Sequence, residues 1–192
     1  MSVTVVIPHI PIRDTMLPRA LKSVFSQTQP ADVVTVITDV RHEGSAATRN
    51  RALAGVTTEW IAFLDDDDEW YPQHLKSLLA AARSTGADVI YPGCDVERDG
   101  HIIPRQEEWG RYGQSFDADL LRRRSYIPVT SLVRTELVRK TRGFEPPPES
   151  QYDDWGFYLQ LLDVGARFYH LPRVTWRWHH GDHNTSGQGD RW

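Results

Sequence analysis

Four consecutive carboxylates, Asp65, Asp66, Asp67 and Asp68, follow the apolar run Trp60 Ile61 Ala62 Phe63 Leu64 and precede Glu69 Trp70 Tyr71. Like charges about 4 Å apart at an effective dielectric of about 20 repel by roughly 4 kcal/mol per pair, so this clustering calls for a counter-cation. Carboxylate oxygens suit Mg2+ or Mn2+, and Mg2+ typically takes one or two carboxylates and fills its other positions with water and substrate phosphate. In an extended run the side chains alternate, which puts Asp65 and Asp67 on one side and Asp66 and Asp68 on the other. The competing reading is a solvated acidic turn that caps the next helix. The aromatic residues that follow, where a linker would be polar, favour the metal. Other side chains with chemistry to offer are Asp39, Arg49, the pair Asp153 Asp154, and His179, His180 and His183.

The elements around these residues are expected to place them together. Residues 3–7 form a short β-branched run ended by Pro8, as in a strand buried on both faces of a parallel sheet. A loop over 9–14 leads to Leu17, Leu21, Val24 and Phe25 at helical spacing, and residues 33–38 read as a second buried strand with Asp39 at its carboxyl end. Gly44 Ser45 opens a short helix containing Arg49, and residues 60–64 are the third strand. In open parallel sheets ligands bind beyond the carboxyl ends of the strands, where Pro8, Asp39 and Asp65 to Asp68 would meet. Leu75, Leu78, Leu79 and Ala82 mark a helix stopped by Gly86, residues 88–92 a fourth strand, and Asp99 Gly100 a hairpin turn after which the sheet becomes mixed. Further on, the spacing predicts helices over 116–124, 135–142 and 152–164 and short strands over 167–170 and 174–178. A polar loop over 104–113, the stiff connector Pro146 Pro147 Pro148 and a polar tail from His179 complete the chain. Arg122 Arg123 Arg124 reads as a solvated helix end, with contact to a phosphate-bearing acceptor as the minority alternative.

The 192 residues fit one α/β domain, with a nucleotide-binding half over 1–95, an acceptor-side half over 96–178 and the tail over 179–192. A net charge of -4, from 22 basic and 26 acidic side chains, does not announce a nucleic-acid or anionic-membrane partner. The lone Cys94 excludes an intramolecular disulfide and a thiolate zinc site. With no apolar leader and no run approaching about 20 apolar residues, a soluble cytoplasmic protein without a membrane span is expected. Neither G x G x x G nor G x x x x G K [ST] occurs, which disfavours nicotinamide enzymes and P-loop NTPases. Seven tryptophans lie mostly near the proposed site loops, and core packing explains some of them equally well.

The ordered set Val5 Val6 Ile7 Pro8, Ala47 Thr48 Arg49 Asn50 Arg51, Phe63 to Trp70, Gly143 Phe144 Glu145, Asp153 Asp154 Trp155 and Arg177 Trp178 His179 resembles the inverting family 2 glycosyltransferases of the GT-A fold. The resemblance implies a Rossmann-like sheet and transfer of a sugar from a nucleoside-diphosphate sugar, a UDP-sugar being favoured, to an acceptor hydroxyl. It implies Asp39 against the base, Asp65 near the ribose, Pro8 and Asp66 in the same crevice, and Asp67 or Asp68 on a Mn2+ or Mg2+ that bridges the diphosphate. His179 would complete the metal shell or else belong to the polar tail. Arg49 would contact nucleotide or diphosphate, or else face solvent. Asp154 would be the general base, and Asp153 would cap its helix. The chain departs from the family at His9 Ile10 Pro11 Ile12 Arg13, where a Thr-Tyr-Asn-Arg-like segment is common, and at Asp153 and Gln160, where Glu and Arg are common. A non-catalytic nucleotide-sugar or glycan-binding module and a nucleotidyltransferase remain the alternatives. The acceptor, whether saccharide, lipid-linked intermediate, protein or modified nucleic acid, would be chosen by loops such as 109–114 and by the tail.

Overall fold

A computed structural model describes residues 1–103, 112–146 and 152–181. Its centre is a mixed eight-stranded sheet in the spatial order β2 (Val33–Thr38), β1 (Val3–His9), β3 (Trp60–Phe63), β7 (Leu132–Arg134), β5 (Val89–Arg98), β8 (Phe168–His179) and β4 (Glu69–Trp70), with β6 (His101–Ile103) paired to β5. β1 (Val3–His9), β2 (Val33–Thr38) and β3 (Trp60–Phe63) are parallel, and the helices α1 (Leu17–Phe25) and α2 (Ser45–Leu53) make the crossovers between them. β1 is buried at every position because it has a strand on each side and a helical layer on each face. β2, expected to be buried, is the sheet edge, with Val33 45% exposed. Phe25, expected on the apolar stripe of α1, is 72% exposed, and Val24 takes the core position beside it.

After the two-residue β4 (Glu69–Trp70), α3 (His74–Thr85) ends at Gly86, which adopts the left-handed conformation of a helix terminator. β5 (Val89–Arg98) runs well past the expected Pro92 into the Asp99 Gly100 turn and β6 (His101–Ile103). Following α4 (Ala118–Arg123), the strand β7 (Leu132–Arg134) inserts antiparallel between β3 and β5. Three residues are too few for a detectable alternation, so this strand has no sequence signature. The helix expected over 135–142 is the single turn α5 (Thr135–Val138). α6 (Asp153–Asp163) matches its expectation closely, whereas the two expected short strands are one, β8 (Phe168–His179), which bulges between its pairings with Pro92 and Cys94. His179 therefore ends a strand and is not part of a tail. Residues 104–111, 147–151 and 182–192, which contain Trp109, Pro147 and Pro148 of the proline connector and most of the tail, lie outside the described residues.

Two apolar cores flank the sheet. One joins α1 and α3 to Val5, Ile7, Trp60, Leu64 and Ile90, and takes in Trp70, Trp176 and Trp178, so four tryptophans serve packing. The other gathers Val6, Phe63, Tyr91, Val133, Phe144 and Phe157 under α2, α4 and α6. Pro8 sits where this architecture tolerates it. Val6 O accepts from Leu64 N, so Pro8, two residues on, faces the same edge of β1 just beyond the last pairing with β3, and its missing N–H leaves no ladder bond unmade. There the strands part and the crevice begins. Among the described residues no helix is long and apolar enough to cross a membrane.

The second core is clamped to α2 by one side chain. Asn50 Nδ2 donates to Phe144 O at 2.9 Å and Asn50 Oδ1 accepts from Phe144 N at 2.8 Å, while Phe144 stacks on Phe157 at 4.3 Å. Gly143 precedes this clamp with φ +82, and a Cβ there would overlap Asn50 Oδ1. Gly143→Ala should therefore lower stability by roughly 2 kcal/mol or more through strain and displacement of the clamp, about 4–8 °C in midpoint at this length. Gly100→Ala, at φ +80 with nothing within 4 Å, should cost only the left-handed backbone strain of about 1 kcal/mol. Thermal denaturation of both variants checks the contrast.

Candidate active site at the strand ends

The acidic run is a tight turn and not an extended segment. Asp68 N donates to Asp65 O at 3.2 Å, and this turn replaces the expected alternation with a different grouping. Asp65, Asp67 and Asp68 each offer a carboxylate oxygen within 4.8 Å of the others, a group that could hold a metal ion. Asp66 turns away from them. Its Oδ1 accepts from Arg13 Nη1 at 3.0 Å, its Oδ2 accepts from Ile10 N at 3.2 Å, and His9 Nδ1 lies 2.8 Å from the same Oδ2. Asp66 thus anchors the loop after β1 to the loop after β3, and serves the crevice as a pin.

Electrostatically the three-carboxylate group is short of positive charge. Burial, reinforced by Asp65 and Asp66, pushes the Asp67 carboxyl up to about 7 although Arg13 Nη1, 3.2 Å from Asp67 Oδ2, opposes the shift. Burial and the charges of Asp67 and Asp65 likewise push Asp68 well above the ordinary carboxylate range, against the help of His179 N, which donates to Asp68 Oδ1 at 2.9 Å. Arg19 Nη2 donates to the carbonyl oxygen of Asp67. Hard oxygen donors with unbalanced charge are the donor set that a divalent cation fits.

His179 lies beside this group and not in it. Its imidazole faces other carboxylates, with Nδ1 on Glu97 and Nε2 3.5 Å from Glu69 Oε1. Burial and the nearby Arg19 charge lower its pKa, Glu97 and Glu69 notwithstanding.

Asp39 is fully buried at the end of β2 and organises the loop beyond it, with Oδ1 accepting from Glu43 N at 3.0 Å and Oδ2 from Gly44 N at 2.8 Å. Burial opposes its charge, yet the backbone N–H groups of Glu43, Gly44 and Arg41 hold it below the ordinary carboxylate range.

Arg49 does not face solvent. It is buried, with Nη2 2.6 Å from Asp65 Oδ1 and Nη1 2.9 Å from Asp153 Oδ2. Asp153 also departs from its expected role as a cap. The N-cap position of α6 is Tyr152, and Asp153 is the first helical residue, its Oδ2 accepting from Ser45 Oγ at 3.0 Å as well as from Arg49. Asp154 Oδ1 accepts from Trp155 N at 2.8 Å. Burial and the adjacent Asp153 charge push Asp154 up to about 7, partly offset by Arg49.

Reasoning from sequence missed Arg13, Arg19 and Ser45 as parts of this site. Arg13 had a signal, a cation five residues past Pro8 in a strand-end loop. Arg19 and Ser45 had none, because each meets its partner only through the tertiary fold.

With this geometry in view, one comparison gives the family and others give related proteins and the fold. A sequence model of Glycosyl transferase family 2 matches residues 17–141. The chain is 25% identical over 145 residues to an uncharacterized glycosyltransferase, YwdF, of Bacillus subtilis (strain 168), spanning 73% of this chain and 51% of that protein. It is 28% identical over 141 residues to the pre-mycofactocin glycosyltransferase of Mycobacterium tuberculosis (strain CDC 1551 / Oshkosh), 68% of this chain and 29% of that one. It thus spans about half, or less, of the length of these relatives. S. aureus TarS 1-349 in complex with UDP shares the fold at a TM-score of 0.74 and 18% identity, over 94% of this chain and 61% of that one. The TarS complex with UDP-GlcNAc does so at 0.73 and 16%, over 96% and 60%.

Asp66 is predicted to matter for stability more than for ligand. Asp66→Ala removes one of the two carboxylates that face the buried Arg13 and frees the loop after β1, a class of change that costs about 3 kcal/mol or more, or at least about 6 °C at this chain length. Thermal denaturation without ligand measures it. A drop under 2 °C would show that Asp66 is not a pin.

Proposed function

The chain belongs to glycosyl transferase family 2, and from that membership we propose that it transfers a sugar from a nucleoside-diphosphate sugar to an acceptor hydroxyl with inversion at the anomeric carbon. The observation that carries the reading is the convergence, at the strand ends, of the Asp65, Asp67 and Asp68 group with a half-buried base candidate, Asp154, through the shared Arg49. The UDP and UDP-GlcNAc named in the TarS complexes favour a uridine donor here. In this reading Asp39 and the loop it orders flank the base, Pro8 leaves the crevice floor open, and Asp65 lies toward the ribose.

Asp67 and Asp68, with Asp65 in reach, would hold Mn2+ or Mg2+. Bound there, the ion offsets the charge that develops on the departing diphosphate. His179 serves the site through its backbone N–H on Asp68. The remaining chemistry is the protein's own. The acceptor oxygen attacks the anomeric carbon from the face opposite the diphosphate, the bond from that carbon to the phosphate oxygen breaks, and Asp154 takes the hydroxyl proton as the new bond forms. A carboxyl pushed up to about 7 is well matched to that role, since a stronger base removes the proton more readily and still ionises near neutral pH.

A thermal-shift panel of UDP and UDP-sugars with and without Mn2+ tests the donor. Ligand at about 100 times its Kd adds roughly 2.7 kcal/mol, which at this chain length raises the midpoint by about 5–11 °C. Asp67→Ala should abolish the Mn2+-dependent part of the shift. A panel with no shift at any donor would overturn the reading.

Asp154 carries a pH prediction with two sides. Transfer measured as kcat/KM should rise as pH passes through about 7 and Asp154 ionises, and Asp154→Asn should lose transfer while retaining donor affinity. For stability the sign is opposite. A carboxyl raised in the folded state stabilises fully below its ordinary value of 3.8, and that contribution is lost as pH rises toward about 7. Asp154→Asn should therefore be more stable than the parent at pH 8 and not at pH 4, by chemical denaturation at both values.

A further inference from the structure

Arg49 does more than neutralise buried charge, because its two carboxylate partners belong to opposite sides of the crevice. Asp65 follows β3 on the donor side, while Asp153 opens α6, the helix that bears Asp154. The two bonds leave from Nη2 and Nη1 of one guanidinium, a planar group that holds both directions in a fixed relation. Asp153 is gripped again by Ser45 Oγ, the first residue of α2, at 3.0 Å. Its other oxygen accepts from the backbone N–H of Asp154 at 2.9 Å, so the hold on Asp153 reaches the main chain of the base itself. The guanidinium also lies 5.1 Å from the centre of the Phe144 ring, and Phe144 is clamped at N and O by Asn50, the next residue of α2. Arg49 therefore has little room to reorient without moving either Asp65 or the start of α6.

Resting on the reading of the crevice as a nucleoside-diphosphate-sugar site, we propose that Arg49 is a positioning residue that links the donor pocket to the base, so that filling the pocket beside Asp65 orders the first turn of α6 around Asp154. The link runs Asp65, Arg49, Asp153, Asp154, through three contacts contributed by the turn after β3, by α2 and by α6. A residue with only a charge-balancing role would support the fold equally well with the pocket empty or filled. A linking residue makes the two ends respond together, which is a coupling between sites carried by one side chain with partners in both.

Amide hydrogen exchange of the full chain, with UDP and Mn2+ as the probe, separates these roles. In the parent protein UDP should slow exchange at residues 65–68 and also in the first turn of α6, residues 153–157. In Arg49→Lys, which keeps the charge but lacks the fork, protection at 65–68 should persist while the response of α6 is lost. Asp153→Asn, which leaves the Arg49 pair with Asp65 intact, should lose it as well and covers the case in which the arginine variant does not fold. An α6 response equal to the parent's in both variants, or no α6 response in the parent, would overturn the link alone. Absence of protection at 65–68 in the parent would overturn the donor-site reading and the link with it.

Discussion

Crowding of negative charge on a buried turn is the constraint around which this protein is arranged. Asp66, Asp67 and Asp68 are buried together immediately after a buried strand, and Asp65 is half-buried beside them. Repulsion at such distances rivals the net stability of a domain. The fold answers with three arginines from three elements. Arg13 comes from the loop after β1, Arg19 from α1 and Arg49 from α2. Arg13 fixes Asp66 and reaches Asp67, Arg19 holds the turn's backbone, and Arg49 takes Asp65 and shares itself with Asp153. The compensation is incomplete at Asp67 and Asp68, whose carboxyls remain pushed upward. Incomplete compensation is what would let the turn accept an added cation.

The sheet supplies the place where this can happen. β1 loses its pairing with β3 at Val6 and continues beside β2 to His9, so a gap opens on one side of Pro8 while the other stays hydrogen-bonded. Asp39 and the acidic turn border that gap from β2 and β3. β7, antiparallel between β3 and β5, pairs along β3 from Trp60 to Ala62, and Ser131 just before it lies 2.7 Å from Tyr158 of α6. Packing of Phe63, Phe144 and Phe157 then sets α6 at a fixed depth beneath the crevice, and Asp153 and Asp154 stand at its open end. Two carboxylates in the first turn also complement the partial positive charge of a helix start, which supports them without neutralising them.

A site of this kind is held against its own stability. Asp154, Asp67 and Asp68 are each kept where the charged form is disfavoured, and a polar, uncharged replacement would fold more readily. Asp39 and Asp66 are the counterpart, carboxylates whose hydrogen bonds hold the loops after β2 and β1 in place. These five of the crevice's acidic side chains thus divide into those that the fold uses and those that the fold endures, and only the partners of each distinguish the two.

That division marks the boundary of what the sequence could reveal. Local patterning was enough to locate β1, β2, β3, α3 and α6, to place Pro8, Asp39 and the acidic run at neighbouring strand ends, to find the Asp99 Gly100 hairpin, and through the ordered motifs to indicate the family. All of these depend on residues within a few positions of one another, where periodicity, turn chemistry and strand burial act. Which acidic side chains face each other was decided elsewhere. The turn that swings Asp66 out is secured by Arg13, 53 residues away, and the pairing of Arg49 with Asp153 spans 104. β7, the edge position of β2, the strand setting of His179 and the Asn50 clamp on Phe144 are likewise products of chain segments meeting across the fold. Separations of that size carry no period to read, because the partner of a buried charge is selected by which oppositely charged group the finished packing brings within about 3 Å. The amino-acid order alone determined that a charged crevice would form at these strand ends, and the tertiary structure decided which of its carboxylates are neutralised by scaffold contacts and which remain short of positive charge.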